Sequence, residues 1–407
     1  MKTGKLVRAL ICAAFALGVN ALPSGVVFTL SAEAAYIIDN GTCGKNAVWE
    51  LDRDGTLTVS GTGDMYSRNS NYDIPWEEEK ESIKKVVISK GITSVGSQSF
   101  DSCTNLESVA IADTVTSIET YSFSGCRALT SLVVPNSVTN IGSSAFAMCK
   151  SLSDVTIPSS VTYIGALAFT GTPWLNAEAK KSQFVIVNGL LLFAVDREDV
   201  VIPDSVTYIV SDAFWGKSLM KTLTIPDTVT GIGHNAFASC SSLTSVTIPE
   251  SVEDIGVQAF ANCAALGEVT ILAPDAKIYD RATTFANDNI SYSGVIRGYD
   301  GSTAEIWAGK YGYRFESLGE RPAEYSFGDV NGDGVIDAVD ASEVLAYYAR
   351  VSTDQDGGFG IKQQAAADVD MNGFIDSVDA SDILAYYAYV STAEGKVLSM
   401  EEYMKKK

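Results

Sequence analysis

Histidine occurs once, at His234, and basic residues are scarce. In 407 residues, 29 lysines and arginines stand against 50 aspartates and glutamates, a formal net charge of −21. One histidine cannot build a multi-histidine metal centre, and it leaves a serine–histidine–aspartate triad little room. The acidic excess repels phosphate backbones, so no nucleic-acid partner is expected. Long apolar runs are missing beyond the first 35 residues, so no later segment is expected to span a bilayer. With 46% apolar residues the sequence nonetheless specifies a folded chain, long enough for two or three domains.

What is present begins with an export pattern. Lys2, Lys5 and Arg8 make a basic start, residues 10–19 are apolar, and Ala32, Glu33, Ala34 and Ala35 form a cleavage-like signal. A membrane anchor needs about 20 uninterrupted apolar residues, which Asn20 and Pro23 deny. Residues 1–35 are therefore expected to be a cleaved signal peptide, and the mature chain to be secreted and extracellular.

A 23-residue period fills the middle of the chain. Phe100, Phe123, Phe146 and Phe169 stand 23 residues apart, and Phe214, Phe237 and Phe260 resume the series. Three residues after phenylalanine comes Cys103, Cys126, Cys149, Cys240 or Cys263, and three further on Leu106, Leu129, Leu152, Leu243 or Leu266. Alternation such as Val246 and Ile248 predicts a short strand. Pro135, Pro158, Pro203, Pro226 and Pro249 end it, because proline cannot continue a paired strand. So short a unit cannot bury its own apolar side; stacked on its neighbours it builds a continuous core. The spacing from Ile157 to Ile202 is one residue short of two periods and holds an atypical unit over 174–201. A hairpin is predicted there at Asn188 and Gly189. Eight coils are expected, seven regular and one irregular.

These columns resemble the BspA-type leucine-rich repeats of bacterial surface and secreted proteins. The resemblance implies a β-rich solenoid of 23-residue coils with end caps: a β-rich cap over 36–83, then the array with its closing cap over 84–319. Caps are needed because an uncapped array leaves an apolar end in water. The outward columns of the first strand are Ser108, Ser131, Asp154, Thr222, Ser245 and Glu268, then Ala110, Val133, Thr156, Thr224, Thr247 and Thr270. This small, flat, mostly neutral face suits a protein ligand, or simply reflects the fit of threonine to strands. Tyr163 and Tyr208 share a column position but lie on either side of the irregular unit, so no aromatic platform for sugars lines up. The cysteine column is expected to be core thiols rather than disulfides, and Thr172 and Lys217 stand in it without changed partners elsewhere. Residues 76–81 and His234 are expected at the surface. Nothing forms a catalytic constellation.

Past residue 328 the composition changes. Asp329, Asn331, Asp333, Asp337 and Asp340 fall at positions 1, 3, 5, 9 and 12 of a loop whose position 6 is Gly334 and whose Val335 offers its carbonyl at position 7. Thirty-nine residues on, Asp368, Asp370, Asn372, Phe374, Asp376 and Asp379 repeat the pattern. Hard oxygen donors at this spacing suit calcium, one ion in each loop. Residues 329–392 hold 12 acidic and 2 basic residues, so about half of the surplus acid sits there.

Each loop runs into a nearly duplicated helical segment, at 341–349 and 380–388, and position 12 is aspartate where an EF-hand has glutamate. This loop-then-helix pair resembles a dockerin, the module that plugs secreted proteins into cellulosome scaffolds. The resemblance implies a small all-α, calcium-binding module over 329–392, after a linker at 320–328 and before a tail at 393–407. It also implies a cohesin module of a scaffoldin as partner, met by Ala338, Val339, Tyr347 and Tyr348 or by Ser377, Val378, Tyr386 and Tyr387. Near-identity of the halves implies that either helix can face the cohesin. The expected function is a non-catalytic exported protein, docked in a cellulosome, whose array binds a protein or cell-wall ligand in polysaccharide degradation. A plant-wall hydrolase and a calcium-stabilised adhesin are the alternatives.

Overall fold

The computed structural model describes residues 36–68, 73–279, 281–288, 291–320, 326–353, 355, 357–393 and 397–407. The expected signal peptide and residues 321–325 of the expected linker lie outside the described residues. Contacts divide the chain into two compact units, one reaching Gly319 and the other starting at Glu320.

In the first unit each regular coil lays one short strand on each of two walls. The first wall carries β4 (Lys85–Ile88), β6 (Ser108–Ile111), β8 (Ser131–Val133), β10 (Asp154–Thr156), β14 (Asp199–Val201), β16 (Thr222–Thr224), β18 (Ser245–Ile248) and β20 (Glu268–Ile271). The second carries β5 (Ile92–Val95), β7 (Ser117–Ile118), β9 (Asn140–Ile141), β11 (Tyr163–Ile164), β13 (Leu190–Ala194), β15 (Tyr208–Ile209), β17 (Gly231–Ile232), β19 (Asp254–Ile255) and β21 (Lys277–Ile278). Pairing between coils is parallel and keeps one register, for example Asp154 beside Ser131 and Gly231 beside Asp254. A hydroxyl column adds to the ladder. Ser137, Ser160, Thr228 and Ser251 each donate to the valine carbonyl of the preceding coil, at 2.6 to 2.9 Å.

Inside, the phenylalanines stack. Ring centroids lie 5.1 Å apart for Phe100–Phe123, 5.4 Å for Phe123–Phe146 and 5.5 Å for Phe146–Phe169. Tryptophans close both ends: Trp76 stacks on Phe100 at 5.2 Å, and Trp307 meets Phe285 edge-on at 5.4 Å. Trp76 is buried, so the charged turn expected at 76–81 is anchored by its first residue. Its Glu77 pairs with Lys80 and Arg68 at the surface.

The caps are themselves rungs. In the first, β1 (Ile37–Thr42), β2 (Gly44–Asp52) and β3 (Thr56–Met65) form an antiparallel meander, and β3 pairs in parallel with both β4 and β5. At the other end β22 (Val295–Gly298) continues the first wall from β20, and β23 (Arg314–Ser317) follows it. With these rungs the solenoid has about ten turns, not eight.

The irregular unit departs from its neighbours on both walls: the second-wall sheet ends at β11 and a new one starts with the hairpin that contains β13. Phe169, Thr172 and Leu175 keep the repeat spacing, but helix α1 (Pro173–Lys181) follows in place of a first-wall strand. Thr172 is its N-cap, accepting the Leu175 N–H at 3.2 Å, so the hydroxyl in the cysteine column takes a local capping role. Lys217, the other substitute, holds its Nζ 4.2 Å from the Phe193 ring centroid. Strand β10 pairs only with β8, and β14 only with β16, so the first wall is interrupted here. On the second wall β13, hairpinned to β12 (Phe184–Val187), pairs with β15. The predicted hairpin turns at Asn188 and Gly189, both at positive φ. The Asn188 side-chain amide donates to the carbonyls of Pro158 and Val161 and ties the hairpin to the preceding coil.

Helix α2 (Thr303–Tyr311) belongs to the closing cap. The second unit contains α3 (Ala338–Val351), α4 (Ile361–Ala367), α5 (Ser377–Thr392) and α6 (Met400–Met404), with α3 against α5. Its core joins Val330, Val344, Val369 and Ile383 to Met400, which is only 2% exposed. The segment 393–407, expected as a tail, thus lends an apolar anchor to the module. Among the described residues, no helix is long and apolar enough to cross a membrane.

Candidate metal loops and docking surface

The two acidic loops fold alike because their carboxylates first satisfy the backbone that carries them. Asp329 accepts the N–H of Gly332 and of Gly334, both at 2.9 Å, and Asp368 does the same for Asn372 and Gly373 at 3.1 and 3.0 Å. Position 6 turns at φ +83° in Gly334 and +85° in Gly373, which favours glycine. At position 9, Asp337 and Asp376 cap helices α3 and α5, and position 12 completes a capping box in each. Loop and helix are thereby one piece.

Asp329, Asp340 and Asp379 are buried, and none meets a lysine or arginine among the described residues. In the second loop the carboxylate oxygens of Asp368, Asp370 and Asp379 gather within 4.8 Å of one another. Burial holds the Asp379 carboxyl above its ordinary value, against the pull of the Asp376 and Asp370 backbone N–H groups. Converging buried carboxylates without a basic partner suit a hard divalent cation. The donors are all oxygen, so the residues present fit calcium.

The recognition candidates divide by exposure. Tyr386 is 7% exposed and donates its hydroxyl to the Leu398 carbonyl at 2.9 Å. Tyr347 stacks on Phe359 with centroids 4.6 Å apart. Tyr348 and Tyr387 are each 42% exposed, and Val339, Val378, Ala338 and Ser377 are exposed as well. The structure adds Leu345 and Val351 on α3, and Leu384 and Val390 on α5. Their common 39-residue offset was the signal in the sequence that could have found them. Side chains of Val335 and Phe374, named above only for their carbonyls, also project outward.

On the array, the first-wall columns are exposed along most of their length and end in an ion network. Arg297 meets Glu268 at 3.2 Å and Glu316 at 3.1 Å. The column cysteines are buried and free. Four donate their thiol to a phenylalanine carbonyl of the preceding coil, as Cys126 does to Phe100 at 3.2 Å. His234 is exposed, with its ring 5.7 Å from that of Tyr279.

Residues 78–188 and 194–294 match the BspA type leucine rich repeat region, in six copies. Because that match spans half of the sequence, the chain belongs to the BspA-type leucine-rich repeat family. Residues 327–386 match the dockerin type I domain. A leucine-rich repeat protein from Eubacterium ventriosum is 24% identical, covering 65% of this chain and 79% of its own, with a TM-score of 0.41. A leucine rich cell surface protein from Faecalibacterium prausnitzii is 20% identical, covering 62% and 94%, with a TM-score of 0.27. Comparison with curated proteins gives no match. Both matched modules are non-catalytic: a dockerin implies docking to a cohesin, and the repeats imply protein binding.

Proposed function

We propose that this is a secreted, non-catalytic repeat protein that docks onto a scaffoldin cohesin through a module ordered by two calcium ions. One ion is held by Asp329, Asn331, Asp333, the Val335 carbonyl, Asp337 and Asp340. The other is held by Asp368, Asp370, Asn372, the Phe374 carbonyl, Asp376 and Asp379. Calcium supplies positive charge to carboxylates that the fold has already drawn together, which lowers the cost of their burial. The loops then hold the first turns of α3 and α5 in place. The array is left to bind a protein or cell-wall ligand in polysaccharide degradation.

The observation that carries this is a duplicated set of exposed apolar side chains. Val335, Val339, Leu345, Tyr348 and Val351 recur 39 residues on as Phe374, Val378, Leu384, Tyr387 and Val390, and all ten are exposed. Exposed apolar and aromatic side chains in such number suit an interaction surface. Two matching sets give a single cohesin two equivalent ways to bind. The test is retention of the full chain on immobilised cohesins of several types. Retention by at least one type in calcium, with release by chelator, is expected. No retention by any type in calcium would overturn the proposal.

A further inference from the structure

One row of the second wall differs from the rest. Register places Ser94, Ser117, Asn140 and Tyr163 in line in one sheet, and Leu190, Tyr208, Gly231 and Asp254 in line in the next, whose β13 contacts β11 without pairing with it. Tyr163 and Tyr208 are 45 residues apart in sequence, but only the β13 rung lies between their strands. Leu190, on that rung, is 6% exposed although its row faces outward, with Tyr208 packed against its cluster. A Cβ on Gly231 would stand 2.5 Å from Cε2 of Tyr208 and 3.2 Å from Oδ1 of Asp254. The ring of Tyr208 therefore lies over the neighbouring strand, with a carboxylate at its border. The Tyr208 hydroxyl is pushed up to about 12, by burial first and then by the charges of Asp254 and Tyr163, so the three groups are within electrostatic reach.

Covering Gly231 explains Tyr208 as a packing residue. It does not explain Tyr163, which is 51% exposed at a position that the three preceding coils fill with serine or asparagine. We propose that this row is a binding strip for a neutral polysaccharide, with Tyr163 and Tyr208 as stacking platforms and Asn140 and Asp254 as hydrogen-bonding ends. A pyranose has an apolar face of C–H groups and a rim of hydroxyls, and a flat aromatic surface bordered by an amide and a carboxylate matches both. The row from Asn140 to Asp254 takes six rungs and five steps, four of them paired at about 4.8 Å, so it runs roughly 20 Å or more along the solenoid axis, room for several sugar units. Asp254 stands in register with Lys277 on the next rung, so this end of the strip carries little net charge and suits a neutral polymer. The strip lies on the array and does not depend on cohesin docking.

Affinity electrophoresis of the full chain in calcium, through gels containing soluble β-glucan, xylan or glucomannan, tests the strip. Retardation by at least one polysaccharide is expected. Y163A and Y208A should each weaken it about tenfold, while Y163F stays within about twofold. Because Tyr163 is exposed, Y163A should keep the wild-type circular dichroism, which guards against a loss caused by misfolding. The proposal is overturned if no polysaccharide retards the chain, or if retardation survives both alanine changes. It is also overturned if these variants lose a protein ligand while the sugars bind none of the forms.

Discussion

Asp340 and Val330 close the first metal loop on itself: the buried Asp340 Oδ1 accepts the Val330 N–H at 2.7 Å. Asp379 repeats the contact with Val369 at 2.9 Å. The other oxygen of each carboxylate accepts the N–H at position 9, from Asp337 and Asp376. The short aspartate at position 12 is thus a backbone staple as well as a proposed metal ligand.

D340A should therefore do two kinds of damage. It leaves buried N–H groups unpaired, at about 1–3 kcal/mol each, and it removes a ligand. Calcium titration by calorimetry should fall from two ions in the wild type to one. Chelation of the wild type should abolish the helical circular dichroism of α3 and α5 and leave the β signal of the array. A helical signal indifferent to both treatments would contradict the metal assignment.

The phenylalanine ladder should behave as a chain of equal links. F146A removes a fully buried ring stacked on both sides and should cost about 3–5 kcal/mol. Urea unfolding followed on the array should show it. F100A should cost a similar amount, because Trp76 stacks on Phe100 as another phenylalanine would.

The cysteine column makes a prediction about pH. Burial pushes the Cys103 and Cys263 thiols from 9.0 up to about 12, and Cys126 is raised first by its hydrogen-bonded neighbour Cys149 and then by burial. Below pH 9 folded and unfolded chains both keep these protons, and the thiols make stability independent of pH. Between about 9 and 12 the unfolded chain loses protons that the folded chain retains, so stability falls as pH rises. Denaturant midpoints measured from pH 8 to 11 should decline. Iodoacetamide should label the column at pH 8 only after unfolding; rapid labelling of the native chain would refute the buried ladder.

Much of this architecture was legible because every repeat column becomes a physical ladder. Phe100 to Phe169 could be read as one stack, and the spacing of aspartates from Asp329 to Asp340 as one loop. Three features were hidden by the same periodicity. The caps carry no 23-residue pattern, so β3 and β22 did not count as coils. Residues 173–181 keep Leu175 in its column, yet Ala177, Glu178, Ala179 and Lys180 favour a helix, and Thr172 caps it. Tyr163 and Tyr208 do lie on either side of the irregular unit, but the sequence does not show that this unit adds a single second-wall rung, β13, between them. At the docking surface, the pairs Tyr347–Tyr348 and Tyr386–Tyr387 could not be sorted until Phe359 and the Leu398 carbonyl showed which tyrosine each half turns inward.

Calorimetric titration of a retained cohesin into wild type and variants, in calcium, tests docking through the duplicated exposed residues most directly. V339D with Y348A disables one set, and V378D with Y387A the other. Each pair alone should leave affinity within about twofold, and the four changes together should weaken it at least about a hundredfold. Wild-type affinity in the fourfold variant, with calcium binding intact, would contradict the account.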